Sequence, residues 1–183
     1  MARALVPLAE GCEELEAITI IDLLRRAEIE VVSAALDDQQ VNCSRGVKIV
    51  ADTTLDAVID DQFDLIVLPG GLPGADNLDN DPRISGLLKK ISAAGGITAA
   101  ICAAPKVLAS AGLLEGKTAT SYPGFIDKMN LINTRVVTDP VVIDEQLVTS
   151  RGPGTAMDFT LELIEKLCGR ERRQTVENAL MRP

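Results

Sequence analysis

Gly96-Ile97-Thr98-Ala99-Ala100-Ile101-Cys102-Ala103-Ala104-Pro105-Lys106-Val107-Leu108 joins an apolar run to a helix-like stretch through a single cysteine. The run reads as a buried strand, and Pro105 fits the first turn of a helix, where no intrahelical N–H bond is lost. A sharp strand-to-helix turn carrying a nucleophile tolerates only small residues two positions to either side, and here these are Ala100 and Ala104. Amides at the start of the helix would point at the sulfur and favour thiolate over thiol. The bland alternative is an inert cysteine in an alanine-rich core. The chain contains no histidine, so a reactive Cys102 cannot borrow the usual base and must be activated by backbone dipoles and another side chain.

Similar apolar runs at residues 4–9, 30–36 and 64–68 alternate with helical patterns, which predicts a mostly parallel sheet covered on both faces. Between the second and third runs, residues 41–50 read as two short extended pieces about a Ser44-Arg45-Gly46 turn. Asp81-Pro82 opens a helix with Ile84, Leu87, Leu88 and Ile91 at helical spacing, and Gly95-Gly96 ends it. Short strands follow at residues 135–137, 141–143 and 146–149. Thr155 with Asp158 three residues on reads as a capping box before a helix over 159–167. Gly169 stops that helix, and residues 170–181 read as a charged terminal one. No repeat or linker divides the chain, so one domain over residues 1–183 is expected.

Hydrophobic residues make up 46% of the chain and aromatics only 2%, enough for one core of Ile, Leu, Val and Ala. The net charge of −9 argues against general nucleic-acid binding, which needs a cationic surface. No run approaches the roughly 20 apolar residues of a membrane span, and the N-terminus reads as a first strand with no leader cleavage site. Cys12, Cys43, Cys102 and Cys168 are scattered, as expected of reduced thiols in a cytoplasmic protein. Without histidine or paired cysteines a zinc site has almost no raw material, and no metal or cofactor is expected.

Two further elements bear on Cys102. Leu65-Ile66-Val67-Leu68-Pro69-Gly70-Gly71 is a strand running into a glycine pair, where free amides can face an anion and Gly70 and Gly71 would form an oxyanion hole. A tight turn is the alternative, and no Gly-Lys-Ser/Thr follows to make a phosphate loop. In an open α/β sheet, loops at the carboxyl ends of the strands share one crevice. On a helix over residues 13–27, Glu16 shares its face with Ile20, Leu23 and Ala27, while Thr19, Asp22 and Arg26 form a polar wedge. A carboxyl on that apolar stripe loses hydration, which raises its pKa and lets it stay protonated as a donor or proton shuttle. Glu13 and Glu14 read more simply as acids favoured by the helix dipole. Leu15 and Ile18, beside the wedge, suggest that this helix is buried on two sides, as at a dimer contact.

Taken in order, Glu13-Glu14-Leu15-Glu16, Cys43-Ser44-Arg45, Leu68-Pro69-Gly70-Gly71, Ala99-Ala100-Ile101-Cys102-Ala103 and Thr149-Ser150-Arg151-Gly152-Pro153-Gly154-Thr155 resemble the ThiJ/PfpI superfamily. Within it they look like the subgroup of the parkinsonism-associated protein deglycase. The resemblance implies an α/β, flavodoxin-like three-layer sandwich with a nucleophile elbow, and a homodimer. It also implies a nucleophilic, oxidation-prone Cys102, a protonated Glu16 hydrogen-bonded to its sulfur, and Gly70, Gly71 and Ala103 around the site. Arg45 and Arg26 match basic positions that line the pocket in relatives, across the dimer; on sequence alone each reads as a solvated arginine. Cys43 and Cys168 read as structural thiols and Cys12 as a loop thiol beside the site.

Two departures qualify the resemblance. Cys102-Ala103-Ala104 lacks the Cys-His pair of the peptidase and amidotransferase branches, so proteolysis is not expected. Tyr122-Pro123 stands where some subgroup members carry a histidine before proline, and tyrosine is a poor base near neutral pH. If that histidine shuttles protons, activity here is weaker. The expected function is a cofactor-independent, cysteine-dependent glyoxalase or protein deglycase acting on small glyoxals or glyoxal adducts on protein. The alternative is a redox-sensing stress chaperone in which Cys102 is oxidised to a sulfinic acid.

Overall fold

A computed structural model describes residues 1–182; Pro183, the far end of the expected domain, lies outside them. The chain begins with β1 (Arg3–Leu8), α1 (Glu14–Arg26) and β2 (Glu30–Ala35), then a hairpin of β3 (Gln40–Asn42) and β4 (Lys48–Val50), and a short β5 (Thr53–Thr54). Next come β6 (Leu65–Leu68), α2 (Gly74–Asn80), α3 (Pro82–Ala93), β7 (Ile97–Ile101) and α4 (Pro105–Ser110). The last third holds β8 (Thr118–Ala119), β9 (Arg135–Val136), β10 (Val141–Asp144), β11 (Leu147–Ser150), α5 (Ala156–Cys168) and α6 (Arg170–Ala179).

Among the described residues the main sheet runs β10-β11-β7-β6-β1-β2-β5. Every pairing in it is parallel except β10 with β11. The apolar strands do not alternate with polar residues because both faces are covered. Ala4, Val6, Leu65, Val67, Ala99 and Ile101 point to one face and pack with α1 and α5, through residues such as Ile20, Leu24, Phe159 and Leu163. Leu5, Ile66, Leu68 and Ala100 point to the other and pack with α3 and α4, through Ile84, Leu88, Val107 and Leu108. The period of two along each strand therefore divides the core into two layers about one sheet, the three-layer arrangement expected.

The predicted strands and the β3–β4 hairpin form within a residue or two of their expected bounds. Asp81 caps α3 by accepting the Arg83 N–H at 2.9 Å, and Pro82 takes the first helical position. The capping box at Thr155 does not form. Its hydroxyl pairs with the Ser150 hydroxyl at 2.6 Å and donates to the Gly152 carbonyl at 2.9 Å, turning back into the preceding loop, while Asp158 pairs with Arg182. α2 was not expected, because Gly-Ala-Asp-Asn-Leu-Asp-Asn has no apolar period. Among the described residues no helix is long and apolar enough to cross a membrane.

Candidate active site

β1, β6 and β7 lie side by side and parallel, so the loops leaving their carboxyl ends converge. Cys102 follows β7 with φ 63°, a left-handed backbone that costs a residue with a Cβ about 1–2 kcal/mol. Its N–H donates to the Ser150 carbonyl at 3.0 Å and its own carbonyl accepts the Tyr122 N–H at 2.8 Å, and these two bonds hold the bend. Ala100 and Ala104 beside it are fully buried, as an elbow requires. α4 then starts with Pro105 at its first position.

The loop after β6 brings up the second component. The Gly70 N–H donates to Glu16 Oε2 at 2.8 Å. A Cβ on Gly70 would lie 2.6 Å from the Cys102 Cβ and 2.9 Å from the Ile101 carbonyl oxygen, so only glycine lets this strand end pass so close to the elbow. Gly71 has φ 88°, and a Cβ there would stand 2.4 Å from the Glu13 nitrogen. The loop after β1 completes the site, because the Glu13 N–H donates to the Gly70 carbonyl at 2.9 Å and its carboxylate caps α1 by accepting the Glu16 N–H at 2.8 Å. Glu16 thus sits in the first turn of α1, fully buried, with Ile20 and Leu23 on its face as the helical spacing requires.

Burial raises the Glu16 carboxyl to about 7; the Gly70 N–H opposes this and the Glu13 charge adds to it. Its other oxygen, Oε1, is buried without a hydrogen bond, and the carboxyl and the Cys102 side chain converge on Gly70, where an added Cβ would lie 2.9 Å from Glu16 Oε2 and 2.6 Å from the Cys102 Cβ. A proton carried on Glu16 can therefore be offered to the sulfur. Burial pushes the Cys102 thiol up to about 12, with the Glu16 charge next in weight, while the nearby amides of Gly71 and Ala103 pull it down. The amides thus act in the expected direction but are outweighed by burial and a neighbouring carboxylate, so a second side chain has to take part. Moving one proton from sulfur to Glu16 removes that charge and makes Glu16 a donor. The thiolate is therefore tied to a protonated Glu16, and the two groups titrate as a pair.

A family model described as the DJ-1/PfpI family matches residues 2–166. The chain belongs to the DJ-1/PfpI family. It is 45% identical over 179 residues to protein DJ-1 homolog A of Arabidopsis thaliana, a match that covers 97% of this chain and 46% of the relative. The chain thus spans about half the length of that protein. Over 174 residues it is 38% identical to the glutathione-independent glyoxalase DJR-1.2 of Caenorhabditis elegans, covering 95% of this chain and 90% of the relative. The crystal structure of Drosophila melanogaster DJ-1beta superposes with a TM-score of 0.94 at 45% identity, covering 100% of this chain and 98% of the other.

Other predicted residues of this DJ-1/PfpI chain stand at varying distances from the pair. Tyr122 meets the elbow through its backbone, and its ring, half exposed, packs edge-on against Phe125. Arg45 is exposed, and its N–H donates to Glu14 at 3.0 Å. Arg26 lies in the last turn of α1, paired with Asp22 at 2.6 Å, and is not brought to Cys102 within one chain.

Glu14 has a structural role that the dipole reading missed. Buried, it accepts the N–H groups of Arg45 and Val47 and the Ser44 hydroxyl, tying the turn of the β3–β4 hairpin to α1. Burial raises its carboxyl, but these bonds hold it, on balance, below its ordinary value. Such a group stabilises the fold above the unfolded carboxyl pKa, and that contribution fades as pH falls through the folded value. Glu14→Gln is expected to lose about 1–3 kcal/mol of stability at pH 7. The deficit should shrink on acidification in denaturant titrations, and an equal deficit at every pH would contradict this role.

Proposed function

We propose that this protein is a cofactor-independent glyoxalase or deglycase in which Cys102 is the nucleophile and Glu16 the proton carrier. The observation that carries this reading is Cys102 in a strained elbow beside the buried Glu16 carboxyl, which the Gly70 N–H holds in place while the amides of Gly71 and Ala103 favour the ionised sulfur. The name of the nematode relative, a glutathione-independent glyoxalase, supports the same chemistry.

In this mechanism the Cys102 proton passes to Glu16 as the sulfur attacks the aldehyde carbon of methylglyoxal, and Glu16 returns it to the developing alkoxide to give a hemithioacetal. The Glu16 carboxylate then takes the C1 hydrogen as a proton and delivers it to C2, while the hydroxyl proton on the C1 oxygen passes to the C2 oxygen, converting the hemithioacetal into a lactoyl thioester. Water cleaves the thioester to lactate and frees the sulfur. On a glyoxal adduct of a protein amine, the sulfur would instead displace the amine from the hemiaminal carbon, and the amine would leave with the proton that Glu16 took from Cys102. A thiol on this path needs no histidine, because a carboxyl near pKa 7 sits where a general acid–base works at neutral pH. The pure protein should form lactate from methylglyoxal with no added thiol; absence of lactate contradicts the reading.

A redox-sensing role is supported by the partial exposure of Cys102 beside donors that would hold sulfinate oxygens. Mild peroxide should then add two oxygens at Cys102, read by intact mass. A homodimer through α1 fits the half-exposed Leu15 and Ile18 on its outer face. It would offer Arg26 of one copy to the other.

A further inference from the structure

The loop after β1 holds a second thiol arrangement that the chemistry above does not use. Cys12 Sγ lies 3.6 Å from Cys43 Sγ, with Cys12 fully buried and Cys43 only 7% exposed. The contact is not incidental to side-chain packing, because the backbones that carry the two residues are bonded to each other on both sides of Cys43. The Gly11 N–H donates to the Asn42 carbonyl and the Ser44 N–H to the Cys12 carbonyl, each at 2.8 Å. Glu14 clamps the same turn through Ser44, Arg45 and Val47. Two segments bonded this closely hold the thiols side by side, and the sulfurs need to approach by about 1.5 Å to bond.

We propose that Cys12 and Cys43 form a reversible dithiol–disulfide pair, oxidised by low-molecular-weight disulfides of the glutathione type and distinct from Cys102. Cys43, the one with residual exposure, reacts first: its sulfur attacks one sulfur of the incoming disulfide, forming a mixed disulfide and releasing one thiolate. Cys12 then attacks the Cys43 sulfur, expelling the second thiolate. Two protein thiols have lost two electrons and two protons, and one external disulfide has become two thiols.

Closing the bond would fasten the loop after β1 to the hairpin. That loop also carries the contacts that place the Gly70–Gly71 amides: Glu13 N–H to the Gly70 carbonyl, and Gly74 N–H to the Gly11 carbonyl at 3.2 Å. The pair is thus joined mechanically to the site but shares no reacting atom with it.

The test uses full-length Cys102→Ser protein, so that the nucleophile contributes nothing, incubated with glutathione disulfide and read by intact mass and non-reducing peptide mapping. The expected product has lost about two daltons, carries no glutathione and yields a peptide linking residues 12 and 43. Adding Cys12→Ser should instead trap one glutathione on Cys43, and adding Cys43→Ser should abolish both products. Serine differs by one atom, and folding of each variant is checked by its melting curve. A stable glutathione adduct on Cys43 with Cys12 present, a link to Cys168, or no reaction under conditions that oxidise Cys168 would overturn the proposal. None of these outcomes depends on glyoxalase activity.

Discussion

Replacing Cys102 by serine is expected to reduce lactate formation from methylglyoxal by at least about 10³-fold, down to the rate of buffer. The hydroxyl of serine fits the same bend, so the φ of 63°, the bond to Ser150 and the small neighbours Ala100 and Ala104 should survive. What is lost is a nucleophile that can give its proton to Glu16. A serine hydroxyl is a much weaker acid than a thiol, and a carboxyl near pKa 7 cannot take its proton to any useful extent. A rate within a few-fold of the parent would place the chemistry elsewhere.

Gly70→Ala is expected to act nearly as strongly without removing any reactive atom. The added methyl would meet the Cys102 Cβ at 2.6 Å and Glu16 Oε2 and the Ile101 carbonyl oxygen at 2.9 Å, and two of these three neighbours cannot swing away. Overpacking of this kind costs about 1–3 kcal/mol of stability. The rate should fall further, by about 100-fold, because the N–H that positions Glu16 and the elbow that positions the sulfur must move apart. Gly86→Ala is the control. Gly86 lies inside α3 with open space about its missing Cβ, so there the same change should raise stability by up to about 1 kcal/mol and leave the rate alone. Equal effects at the two glycines would sink the close-approach explanation.

The parts of the site that are legible in the sequence are those set by local periodicity. Glu16 declares itself because a helix returns to the same face every three to four residues, and Ile20, Leu23 and Ala27 mark that face as buried. Cys102 declares itself because small residues bracket it at a strand-to-helix junction. Gly70 and Gly71 are legible as a place for close approach, although what approaches them is visible only in the folded chain.

What escapes is set by contacts between distant segments. Glu14 has a sufficient local explanation at the start of a helix, and nothing near it in sequence announces Ser44, Arg45 and Val47, some thirty residues on. Cys12 and Cys43 look isolated for the same reason, until the loop after β1 pairs with the hairpin. At Thr155 the local signal was present but lost to competition, since Ser150 and Gly152 offer its hydroxyl better partners than the helix does. The balance of forces on the Cys102 thiol is likewise tertiary. The opposing amides are implied by the elbow, but the weight of burial and of the Glu16 charge depends on how completely the helix covers the pair.

The proton shared between Glu16 and Cys102 is the core of this account, and the alkylation rate of Cys102 as a function of pH, in the parent and in Glu16→Gln, reads it directly. In the parent, the first proton leaves the pair near pH 7, after which a fixed fraction of the molecules carries it on Glu16 and leaves the sulfur ionised. The rate should therefore rise to about pH 7, level off, and rise again only as the second proton leaves toward about 12. Glu16→Gln keeps a hydrogen-bond donor beside the sulfur but has no proton to share, so its rate should climb in a single step with no plateau. Curves of the same shape for the two proteins would show that Glu16 does not hold the proton of Cys102.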